Sequence, residues 1–66
     1  MTVHDIIQLF GTQQEAAQAA QVTQSAVSQW LSRDQIPAAR QRLLLKAAHE
    51  KNIDLEPADF FEGWYD

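Results

Sequence analysis

The sequence predicts an all-α fold, a compact domain of four to five helices, on three observations. Apolar residues recur at helical spacing in separate stretches that begin at Val3, Ala16, Ala26 and Leu43. Thr2, Thr12 and Thr23 each stand just ahead of one of the first three stretches, where a short hydroxyl side chain caps a helix. Only two Gly and two Pro occur, and no run alternates β-branched with polar residues as a half-buried strand would.

The elements follow in order. Thr2-Val3-His4-Asp5 reads as a capping box, with Val3, Ile6, Ile7 and Phe10 forming the inner side of a helix of about two turns. Gly11 ends it, because a left-handed residue costs glycine little. Thr12 caps the second helix at once, with Glu15 placed to complete a second capping box, and the helix runs to about Ala20. Its alanines, Ala16, Ala17, Ala19 and Ala20, let another helix approach closely, although alanine is also simply the best helix former. Thr23 caps the third helix, about 24–32, whose inward stripe is Ala26, Val27, Trp30 and Leu31, with Trp30 central to the core. After the loop Arg33–Ile36, Pro37 suits the first turn of a fourth helix that continues to about Lys51, with Leu43, Leu44, Ala47 and Ala48 inward and Leu45 at the edge. Residues 56–61 read as one last helical turn, whose Phe60 and Phe61 fold back on the core.

Residues 12–30 say most about function. Two short helical patterns meet there across a very short join around Gln21 and Val22, and the second carries a row of Gln and Ser on its outer side. A helix held this way, proud of the body, is prepared to enter a DNA groove. The domain is expected to span 1–66, with the helix-turn-helix at about 12–32 and an acidic, aromatic segment at 53–66.

The formal net charge of −4 has the wrong sign for a nucleic-acid binder, and its distribution explains why. Residues 1–49 carry Arg33, Arg40, Arg42 and Lys46 against Asp5, Glu15 and Asp34, for +1. Residues 50–66 carry Glu50, Asp54, Glu56, Asp59, Glu62 and Asp66 against Lys51, for −5. Acidity belongs to the tail, and every arginine follows the third helix.

With no cysteine, disulfides and thiolate metal sites are excluded, and a reducing cytoplasm fits. Leu43-Leu44-Leu45 is too short to span a bilayer, and no basic region precedes an apolar stretch at the N-terminus, so neither membrane nor secretion is expected. Catalysis is not expected: His4 and His49 lie far apart, and no serine has a recognisable triad partner or glycine-rich elbow. No metal or cofactor is called for.

Ala16, Ala17, Ala20, Val22, Val27 and Trp30 fill the set positions of a known pattern, and Ala26-Val27-Ser28-Gln29-Trp30-Leu31 with Ile36-Pro37 strengthens it. The chain resembles the small phage Cro and repressor domains, which are lambda-repressor-like helix-turn-helix proteins, and the related YdaS-type regulators, over about residues 3–50. Gln21 departs, standing where the family usually has Gly, at a cost of about 1 kcal/mol if it is left-handed. The expectation is a slightly altered turn, or a side-chain contact that absorbs the cost.

The resemblance implies double-stranded operator DNA as partner, with Gln24, Ser25 and Gln29 at base-reading positions and Ser28 beside them. A glutamine amide suits adenine N6 and N7, serine suits any base, and the Thr23 methyl can meet a thymine methyl. Thr12 and Gln13 begin the second helix, where free N–H groups favour a phosphate. With Thr23, Arg33, Arg40, Arg42 and Lys46 they form the expected backbone-contacting set, unless the arginines pair with Asp34 or Glu50 at the surface. A homodimer on an inverted repeat is expected, with Trp64 or Tyr65 in the subunit contact. Leu45, Ile53, Leu55, Phe60, Phe61, Trp64 and Tyr65 supply more apolar material than a small tail needs. The function so implied is a repressor of a prophage switch or a toxin–antitoxin operon, in the bacterial cytoplasm beside the nucleoid. The alternative is a protein-interaction module, an antitoxin included, whose acidic C-terminal segment binds another protein.

Overall fold

The computed structural model describes residues 2–60. Its helices are α1 (Val3–Leu9), α2 (Gln13–Ala20), α3 (Gln24–Arg33) and α4 (Ala38–Glu50), followed by a 3-10 turn at Pro57–Phe60. Among the described residues the fold is all-helical, as the periodicity predicts.

Three helices begin as their threonines foretell. Thr2 and Asp5 form the full capping box, with Asp5 N–H donating to Thr2 Oγ1 at 3.1 Å and Thr2 N–H donating to Asp5 Oδ2 at 3.2 Å. Thr12 accepts from Glu15 N–H at 3.2 Å, and Thr23 from Ala26 N–H at 3.2 Å. The second box closes differently from expectation. The Glu15 carboxylate folds over Gly11, where an added Cβ would lie 2.7 Å from Glu15 Oε2, and it accepts from the Thr12 hydroxyl at 3.4 Å. Gly11 therefore serves twice, through its φ of +105° and through the room it leaves.

α2 is the hub: it packs on α1, α3 and α4. Ala16, Ala17 and Ala20 are all buried, so three methyl groups are what separates its backbone from its neighbours. Side chains of any length there would hold those helices apart, and overpacking commonly costs about 1–3 kcal/mol. Ile6, Ile7 and Phe10 of α1, Val27 and Trp30 of α3, and Leu44 and Ala48 of α4 complete the core.

The join between α2 and α3 is three residues long, Gln21 to Thr23. Gln21 is left-handed, with φ 58° and ψ 43°. Its N–H donates to Gln18 O at 3.2 Å, and Val22 N–H donates to Ala17 O at 2.9 Å. This is the Schellman pairing that glycine usually serves, with Val22 laid against the core as its apolar partner. The turn keeps its left-handed form with glutamine in place, and the Gln21 side chain is exposed.

The inner side of α4 differs from expectation. Leu43 is only half-buried, while Gln41, Leu44 and Ala48 form the buried stripe. Gln41 Nε2 donates to Ile36 O at 2.7 Å, so an amide takes an inward position because a loop carbonyl needs it. Pro37 stands at the N-cap, one residue before the helix, rather than within its first turn. On α3 the expected inward stripe holds, with Val27 and Trp30 buried and Ala26 and Leu31 half-buried. Leu55 joins the core, and Leu45, Ile53 and Phe60 pack against it, so much of the apparent apolar surplus covers the domain's own interior. Phe61, Trp64 and Tyr65 lie outside the described residues.

Because Gln21 bears left-handed strain that glycine would not, Gln21→Gly should stabilise the fold by up to about 1 kcal/mol. Thermal unfolding followed by circular dichroism should show Tm rising by roughly 4–8 °C per kcal/mol gained. An unchanged or lower Tm would show that the strain is met elsewhere.

Candidate nucleic-acid interface

The ten residues of α3 make a rod about 15 Å long, divided sharply along its length. Val27 is fully buried and Trp30 is 6% exposed, so the inner side is anchored. Gln24, Ser25, Ser28, Gln29 and Ser32 are all exposed. Positions 24, 25, 28, 29 and 32 follow the i, i+4 spacing of a single helix face. The four residues expected to meet bases therefore share one outward edge, and no charge interrupts it before Arg33. Trp30 is core, as its place in the pattern requires.

Gln13, the first residue of α2, joins this edge. Ser28 Oγ donates to Gln13 Oε1 at 3.0 Å. The start of α2 is thus set against the middle of α3 by a side-chain contact that neither helix's periodicity announces. Thr12 and Thr23 stand at the starts of α2 and α3, and both hydroxyls are engaged as caps. The N–H groups of an α-helix's first turn have no partners within the helix, and they leave partial positive charge at such ends.

The basic residues come from two helices. Arg33 is the last residue of α3, and with Gln29, Trp30, Gln35 and Pro37 it lines a hollow of about 350 Å³. Arg40 is half-buried in the first turn of α4, near the edge of the Gln41, Leu44 and Ala48 stripe. Arg42 and Lys46, four residues apart, are exposed together on its outward side. The principal packing partners of α4 are α2 and the 3-10 turn rather than α3. Arg33 is the one of these four cations that α3 itself carries.

Asp34 was open to pairing with an arginine, and the structure gives it another task. It is left-handed, with φ 53°, and ends α3; Gln35 N–H then donates to Trp30 O at 3.1 Å. Its Oδ1 accepts from Val3 N–H at 3.2 Å, across 31 residues of chain. One carboxylate thus ties the end of α3 to the start of α1, where the dipole favours a negative charge. Sequence spacing gives no sign of such a contact.

Among the described residues no group of three His, Cys, Asp or Glu side chains could hold a metal ion, and no helix is long and apolar enough to cross a membrane. A short helix pair of fixed angle with an exposed polar edge on its second member defines a helix-turn-helix DNA-binding module. The chain belongs to the Cro family of DNA-binding transcriptional regulators, whose family model, described as DNA-binding transcriptional regulator Cro, matches residues 2–49. That match covers α1, α2, α3 and nearly all of α4. No curated protein and no solved structure matches the chain.

The Asp34 contact is testable without DNA. Asp34→Ala removes the acceptor for Val3 N–H and places alanine at a left-handed position, so a loss of about 1–3 kcal/mol is expected in urea unfolding. Asp34→Asn keeps an acceptor oxygen and tolerates that backbone, and should recover most of the loss. Equal stability of both variants with the parent would remove the tie from the account.

Proposed function

We propose that the chain is a transcriptional repressor that occupies an operator through α3 and so blocks polymerase. The observation that carries the reading is the unbroken polar edge of Gln24, Ser25, Ser28 and Gln29 on a helix fixed from behind by Val27 and Trp30. The B-DNA major groove is about 12 Å wide and admits a helix of this kind. Gln24 and Gln29 would each donate and accept at an adenine edge, the pairing a single amide can satisfy twice, worth roughly 1–3 kcal/mol of discrimination per contact. Ser25 and Ser28 would read alongside them.

In this reading the backbone is held by the starts of α2 and α3, with Thr12, Gln13 and Thr23, and by Arg33, Arg40, Arg42 and Lys46. Four or five phosphates neutralised per subunit would make affinity fall steeply with salt, with a slope of about −0.9 for each. A single α3 reads only a few base pairs, so two subunits on an inverted repeat, with their helices about 34 Å apart, would supply the affinity. The net charge of only +1 over residues 1–49 fits a binder that depends on placed contacts rather than a broad positive field. The regulated operon would be a prophage switch or a toxin–antitoxin pair, in the bacterial cytoplasm.

Gel retardation of genomic fragments at low salt tests this. The full chain should retain a small set of fragments, with retention falling as salt rises. Gln24→Ala combined with Gln29→Ala should lower specific affinity by about 30-fold or more, the equivalent of roughly 2 kcal/mol or more, while leaving weak non-specific binding. Retention of the same fragments by the double variant would remove α3 from base reading.

A further inference from the structure

We infer that Ser28 selects an amino-bearing base, adenine or cytosine, because Gln13 takes up its only proton. The inference rests on the reading of α3 as the groove helix and adds to it the class of base read at one position. A serine hydroxyl has one proton and two acceptor lone pairs, so a free serine accepts or donates as its partner requires and distinguishes bases poorly. Here the proton is committed: Ser28 Oγ donates to Gln13 Oε1 at 3.0 Å. What the hydroxyl still offers outward is lone pairs.

The groove answers that in only two ways. Adenine N6 and cytosine N4 are donors at the major-groove edge, whereas guanine presents N7 and O6 and thymine presents O4, all acceptors. Ser28 therefore finds a partner on adenine or cytosine, and stands lone pair against lone pair on guanine or thymine. Gln13 is left with the complementary function. With Oε1 occupied by Ser28, its Nε2 keeps two N–H donors, which suit a phosphate oxygen.

The pair is held by the fold as well as by its own bond. Gln13 follows the Thr12 cap at the start of α2, and Ser28 directly follows fully buried Val27. Gln13 is half-buried and Ser28 exposed, so the bond forms at the edge of the module, where DNA would exclude water on binding. One glutamine thereby links a backbone contact to the polarity of a base-reading group.

Selection of bound sequences from a random DNA pool, run on the full chain and three variants, tests the inference. The Ser28 position is the one whose base preference disappears in Ser28→Ala, and in the parent it should favour adenine or cytosine by roughly twofold to tenfold. Gln13→Met frees the hydroxyl proton, so the same position should accept all four bases nearly equally, with base preferences elsewhere in the site kept and overall affinity lowered by the lost Nε2 donors. Gln13→Glu keeps an oxygen for the proton, so the preference should persist while overall affinity drops. Circular dichroism confirms that each variant is folded. A guanine or thymine preference at that position, a preference untouched by Gln13→Met, or no change anywhere in Ser28→Ala would overturn the inference and leave the groove reading standing. A pool with no enriched sequence would overturn both. Without DNA, the side-chain amide resonance of Gln13 should shift in Ser28→Ala; an identical resonance would show that the bond does not form.

Discussion

The turn between α2 and α3 is the constraint on which the rest of the molecule depends. Three residues reverse the chain between two short helices, and each acts by a different means. Gln21 takes the left-handed conformation that closes the Schellman bonds, Val22 lays its side chain on the core, and Thr23 caps the helix that follows. With so short a join, the angle of α3 is set by the end of α2. Burial of Val27 and Trp30 then fixes its rotation, and rotation decides which side chains face out. Anchor and exposed polar edge are two sides of one helix. A change that rolled α3 by one residue, about 100°, would move the tryptophan and the glutamines together.

Small size makes these local devices weigh heavily. A chain of 66 residues buries only about 60% of its unfolded surface, and total stability for small domains is of the order of 5 kcal/mol. Against that total, threonine caps worth about 1 kcal/mol each are substantial. So are the two long-range polar contacts, Asp34 to the start of α1 and Gln41 to the loop carbonyl of Ile36. Both hold the 34–37 loop, which leads directly from α3 into α4. The segment after α3 is thus braced twice by side chains, and Arg33 precedes it immediately.

Most of this was legible in the sequence where the cause is local. Threonine caps, the stop at Gly11, the short join at Gln21 and the period of each apolar stripe all act within a few residues, and the helices begin and end close to where those signals put them. The outward edge of α3 was legible for the same reason, since its anchors and its glutamines share one period. What could not be read depends on neighbours distant in the chain. Gln41 looks like a surface residue until the Ile36 carbonyl is beside it, and Asp34 looks like a partner for arginine until Val3 N–H arrives. Leu43 carries the right chemistry for the core and misses it because the buried stripe of α4 is centred on Gln41, Leu44 and Ala48. Leu55 and Ile53 read as surplus apolar material because their place in or against the core is set by tertiary packing rather than by period. The Ser28–Gln13 bond belongs with these, joining two helices whose patterns are independent.

The central claim, that the outer edge of α3 is what this fold presents to a duplex, is tested most directly by mapping backbone amide shifts as operator DNA is titrated into isotopically labelled chain. The account predicts the largest shifts at residues 12–13 and 23–29, with residues 53–60 nearly silent. Shifts centred on the outward side of α4 or on residues 53–60, with α3 unmoved, would contradict it.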